Sequence, residues 1–194
     1  MIENNFYNLL FLNAKKISNE IKKFTDLPWL KDIEIANGII GVIAYQKGFE
    51  SNVVKFENYL INYFSSKHWR RLNNYFNKKK LIPYGGCGIA NFEDKAYATT
   101  LVFKNKYSLI FLNANEEVKQ KMILECQNLT PKNFNLEEKT NLFLSYVIDH
   151  ENAHRFKIFK NLCEDCLENE IEKALIDFYS NCLKEKNNRE AFDE

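Results

Sequence analysis

Between Leu136 and Lys160 the chain carries a long apolar helical pattern broken by the polar hexapeptide Asp149-His150-Glu151-Asn152-Ala153-His154. Leu136, Phe143, Val147 and Ile158 share the stripe that carries His150 and His154, and Leu142, Leu144, Tyr146 and Ile148 widen the apolar surface. A helix of this kind has to be covered by other layers, and two imidazoles and a carboxylate on a covered face then need partners. Positions four apart lie one above the other on a helix, so His150 and His154 can aim two ring nitrogens at one point, with Glu151 beside them. The pairing is informative because the 194 residues contain only 3 His. Two neutral imidazoles, a third protein ligand and an open position are what a catalytic zinc requires, and a carboxylate beside them can take a proton from the activated water.

The rest of the chain predicts the layers that cover this helix. Phe6, Leu10, Ile17, Ile21 and Phe24 stand at helical spacing over residues 3–25, and Thr25-Asp26-Leu27-Pro28 ends that helix. Lys31 to Gln46 reads as two strands around Asn37-Gly38, a dipeptide suited to a tight hairpin. Glu50 to about Asn77 predicts one long helix, with Trp69 near its middle and a basic end formed by Arg70, Arg71 and Lys78 to Lys80. Pro83-Tyr84-Gly85-Gly86-Cys87-Gly88 reads as a loop and fits neither phosphate-binding glycine pattern. Tyr97 to Phe103 and Tyr107 to Asn113 predict two strands, the second containing SLIFL, followed by a helix over about Asn115 to Cys126. Thr130-Pro131 breaks the chain, Asn135 N-caps the next helix with Glu138 completing a capping box, and a last helix spans about Asp165 to Lys184. With no repeat or compositional boundary, residues 1–194 read as a single α+β domain.

Composition narrows the function classes. Lys+Arg 27 against Asp+Glu 26 leaves a net charge of +1, so nothing in the overall field points to nucleic acid or an anionic membrane. The basic run near Trp69 is read as a solvated helix face. Cys87, Cys126, Cys163, Cys166 and Cys182 form no disulfide framework, which fits a reducing compartment, and the expected location is the cytoplasm. The N-terminus lacks the layout of a secretory signal, and no apolar run approaches the roughly 18 to 20 residues needed to span a bilayer.

HENAH, its apolar helix and the preceding SLIFL strand together resemble the zincin superfamily of metallopeptidases over about a third of the chain. The resemblance implies one zincin-like domain, with a small mixed twisted sheet packed on a buried active-site helix and SLIFL as the edge strand along which substrate lies. It implies Zn²⁺ held by His150 and His154, Glu151 as general base, and a peptide or protein as substrate. Metzincins continue as HExxHxxGxxH, whereas Lys157 and Lys160 stand here and no His follows His154. His68 lies in the basic helical segment and is read as a surface residue. The third ligand is therefore expected from the last helix, as in gluzincins. Glu170, Ala174 and Asp177 line up beside its apolar stripe, and Asn169-Glu170 resembles the Asn-Glu of some gluzincins, although Ala174 stands where their Asp follows. Glu170 is the first choice, with Glu172 and Glu168 next. A rival assignment closes a structural Cys2His2 zinc site with His150, His154, Cys163 and Cys166 and makes the protein a non-catalytic interaction module. An inactive zincin-like site leads to the same module. A di-iron carboxylate site fails for want of a second ExxH motif.

Overall fold

The computed structural model describes residues 14–21, 27–76, 81–92, 95–103, 106–129, 135–156 and 164–190. In chain order these form α1 (Ala14–Ile21), a 3₁₀ turn (Pro28–Leu30), β1 (Ile33–Asn37), β2 (Val42–Gln46), α2 (Glu50–Ser65), α3 (Lys67–Phe76), β3 (Tyr84–Ala90), β4 (Ala98–Phe103), β5 (Tyr107–Asn113), α4 (Glu116–Leu129), α5 (Leu136–Ala153) and α6 (Glu164–Glu190). The five strands make one mixed sheet in the order β1-β2-β3-β5-β4, and the domain is α+β, as its sequence predicts. The outer pairs β1/β2 and β4/β5 are antiparallel, while β2/β3 and β3/β5 are parallel. A parallel neighbour cannot be reached by a tight turn, so the chain from β2 to β3 crosses a sheet face, and α2 and α3 make that crossing.

Side chains alternate between two cores. Ile43, Cys87, Ile89 and Ile110 face α2, α3, α5 and α6, where Leu60, Trp69, Leu72, Ile148, Ile171 and Leu175 pack. On the other face Val42, Ala44, Leu109 and Phe111 meet Ile17 and Ile21 of α1. There the Trp29 ring lies 5.1 Å from both Phe92, which it meets tilted, and Phe111, which it meets edge-on. Among the described residues no helix is long and apolar enough to cross a membrane.

Four expectations change. The glycine cluster expected as a loop is the central strand β3, buried along its whole length. Its glycines sit where other groups press on the backbone: a Cβ on Gly88 would lie 2.2 Å from the Phe111 ring, and one on Gly86 2.2 Å from the Val42 carbonyl. The tight turn at Asn37-Gly38 is a four-residue connection, closed by Gly38 N–H to the Gly41 carbonyl at 2.8 Å. The buried Glu57 carboxylate of α2 fixes it by accepting from the N–H groups of Ile39 and Ile40 at 2.6 and 3.0 Å.

The long helix from Glu50 breaks at Ser66, whose backbone is extended (φ −73°, ψ 157°). Ser66 N–H caps α2 through the Tyr63 carbonyl, and its hydroxyl accepts from Trp69 N–H at 3.0 Å to start α3. Arg70 and Arg71 are exposed as expected, with Trp69 buried between the helices and the sheet, while Lys78 to Lys80 lie outside the described residues. Finally, SLIFL is interior. Leu109, Ile110 and Phe111 are fully buried, as a strand covered on both faces must be, and the edge next to α5 is β4. Helix α5 starts at Leu136 directly after Asn135, as expected, and the side chain of Glu138 lies outside the described residues, as do residues 3–13 and 22–25 of the first expected helix.

Because the obstacle at Gly86 is backbone, it cannot rotate away. Gly86→Ala is expected to cost about 3 kcal/mol, seen as a lower urea midpoint with the slope of the transition unchanged.

Candidate metal centre

Helix α5 lies along the edge strand. Phe143 packs on Tyr97 with ring centroids 5.3 Å apart, and Phe143 and Val147 cluster with Ala98. One turn further on, the Thr100 hydroxyl of β4 stands 2.7 Å from a Glu151 carboxylate oxygen and 2.9 Å from the Glu151 carbonyl, donating to one of them at a time. Glu151 is thereby buried on the sheet side of α5. Ile148, Asp149 and Asn152 point inward and are fully buried. His150 and His154 occupy the side facing α6, with ring centroids 5.2 Å apart and side chains 20% and 17% exposed.

The helix stops after Ala153 instead of running to Lys160. Arg155 N–H and Phe156 N–H close a turn on Asn152 and Ala153, and the Arg155 carbonyl accepts from Ile82 N–H at 2.8 Å. Phe156 bridges to Leu81. Burial of Arg155 and Phe156, 2% and 1% exposed, draws the chain off the helical path into the core. The Arg155 guanidinium lies within 6.0 Å of the Phe64, Trp69 and Tyr84 rings, and burial pulls its pKa down to about 10. Lys157 and Lys160 lie outside the described residues.

The acid that reaches the histidines is Glu168. One of its oxygens is 2.8 Å from His150 Nε2 and the other 3.4 Å from His154 Nε2. Glu170, the first choice on sequence, turns instead to Lys173 at 2.8 Å. The reason is helical phase. The buried line of α6 runs through Ile171, Leu175 and Phe178, and stepping back three or seven residues from its members gives position 168, whereas Glu170 shares the exposed line of Lys173 and Asp177. An acid on the buried apolar line itself was the available signal. Glu172 sits one turn beyond Glu168, where its charge helps burial to raise the Tyr146 hydroxyl pKa. Of the rival cysteines, Cys166 is exposed near the start of α6 and Cys163 lies outside the described residues.

His68 is not a bare surface residue. The break at Ser66 turns it inward, and its Nε2 lies 2.7 Å from the fully buried Asp149 carboxylate, beside the Tyr63 and Tyr179 hydroxyls, which donate to the same group. Sequence reasoning missed this knot, although a carboxylate inside an apolar helix is itself a request for donors. Burial, reinforced by the Asp149 charge, raises both tyrosine pKa values.

These donors fit a divalent metal. His150, Glu151 and His154 each offer a ligand atom within 4.8 Å of the others. Nitrogen and oxygen atoms around a tetrahedral zinc stand about 3.3 Å apart, and the Glu168 separations of 2.8 and 3.4 Å bracket that value. Burial pushes the His154 imidazole down to about 4, with Glu168 opposing and His150 assisting, so its ring nitrogen carries a free lone pair at neutral pH.

A depressed histidine pKa makes folding resist protonation. In metal-free protein His154 should therefore contribute stability that is full above its ordinary value of 6.5 and is lost as pH falls towards about 4. Urea midpoints measured across that window should fall less steeply in His154→Asn than in the wild type. The chain matches no family model, no curated protein and no solved structure.

Proposed function

We propose that the protein is a zinc-dependent metallopeptidase in which His150, His154 and Glu168 hold the metal and Glu151 is the general base. One observation carries this reading: a single carboxylate from α6 faces both imidazoles of the HExxH motif at ligand-like separations. Zn²⁺ held there would supply Lewis-acid activation of a water and of the scissile carbonyl. Glu151, on the neighbouring turn and anchored by Thr100, takes the proton released by the water and delivers it to the leaving amine. Its hydrogen bond to Thr100 joins it to β4, an edge strand of the sheet, and in this reading an extended peptide pairs along that strand. The zincin resemblance supports the reading through HENAH and through an acid from the following helix, with Glu168 in place of Glu170 and β4 in place of SLIFL as the edge strand.

Two variant sets test the reading. Glu151→Gln should retain zinc and lower hydrolysis of an unstructured protein substrate by about 10²- to 10⁴-fold, and full activity in that variant would sink the mechanism. Glu168→Ala should weaken zinc binding by about a hundredfold, measured by chelator competition, while Glu170→Ala leaves it unchanged. Zinc that departs only in Cys163→Ser/Cys166→Ser would instead favour the structural site.

A further inference from the structure

We infer that Tyr179 is a positioning residue for the His150–His154–Glu168 cluster, because it ties α6 to the buried Asp149 next to His150. The inference rests on the metal reading of that cluster. Asp149 is fully buried and receives groups from three helices: the Tyr63 hydroxyl of α2 at 2.5 Å, His68 Nε2 of α3 at 2.7 Å, and the Tyr179 hydroxyl of α6. On α6, Tyr179 follows Glu168 by eleven residues, close to three full turns, so both lie on one line of the helix. Between them Ile171 and Leu175 are fully buried against the core.

Apolar packing of this kind is non-directional, and packed helices can slide past one another by about 1–2 Å. An O–H···O⁻ contact is short and directional, so it fixes the register that packing leaves loose. The ring of Tyr179 is itself held, stacked on His68 at 6.1 Å and tilted against Tyr146 at 6.2 Å. A slide of α6 by the amount that packing allows would carry Glu168 away from His154, from which it already stands 3.4 Å. Tyr63 donates to the same carboxylate but sits on α2, which carries none of the proposed ligands. It is the natural control.

Tyr179→Phe and Tyr63→Phe each remove one donor from Asp149, and both should lower the Tm of the full chain. Only Tyr179→Phe should weaken zinc binding, by about tenfold against a change under about twofold for Tyr63→Phe. In metal-free protein, Tyr179→Phe should also shift the ring NMR signals of His150 and His154, which Tyr63→Phe leaves in place. Equal effects of the two variants on zinc affinity and on the ring signals, or no effect of Tyr179→Phe, would overturn the inference. A wild type that binds no zinc would remove the metal reading instead, and the metal-free ring signals would still decide whether Tyr179 positions the cluster.

Discussion

The packing of the helical layer depends on one buried charge. Asp149 has no access to water, and an uncompensated carboxylate in such a place costs several kcal/mol. It is compensated only if α2, α3 and α6 all arrive at α5 with Tyr63, His68 and Tyr179 in place. Each hydrogen bond to a charged group contributes about 1.5–3 kcal/mol net, but the larger consequence is selection: an arrangement of the four helices that leaves any donor away strands the charge. Apolar contacts among Leu60, Leu72, Ile148, Leu175 and Phe178 drive the layers together, and the carboxylate decides in which register they stop.

The same logic explains what could be read from the chain and what could not. Strands β4 and β5, the hairpin strands β1 and β2 and the helices around HENAH follow from periodicity, which is a local property. Strand β3 did not, because Gly85, Gly86 and Gly88 signal a loop locally, while their actual cause is non-local: Tyr107, Val42 and Phe111 press on them from neighbouring strands. The break at Ser66 was equally hidden, since Ser65-Ser66 interrupts a helical pattern without ending it, and the extended Ser66 backbone is stabilised by caps on both sides. HExxH was legible because its residues are close in sequence, with His150 in the last turn of α5 and His154 directly after it. The acid opposite them was legible only in part: the apolar line through Ile171, Leu175 and Phe178 leads back to position 168, but the register of α6 against α5 runs through Asp149 and Tyr179, residues with no motif of their own.

The sheet and the helices hold different parts of the site. Glu151 is fastened to β4 by Thr100, and the chain beyond His154 is fastened to the start of β3 by the Ile82 N–H and by the buried Arg155 and Phe156. Both attachments run to the sheet or to the residues leading into it, and the central strand of that sheet is buried throughout. Glu168 is half exposed and reaches the site from a separate helix. On the proposed mechanism this division matches the demands on each group. The base has to meet a proton within hydrogen-bonding distance, a tolerance of a few tenths of an ångström, and it belongs on the sheet. A carboxylate ligand has two oxygens and can meet a metal through either, so it tolerates a helix that is registered by one hydrogen-bonded carboxylate and not by a sheet ladder. Asp149 then links the two halves, because the residue that registers α6 is the immediate neighbour of the first histidine.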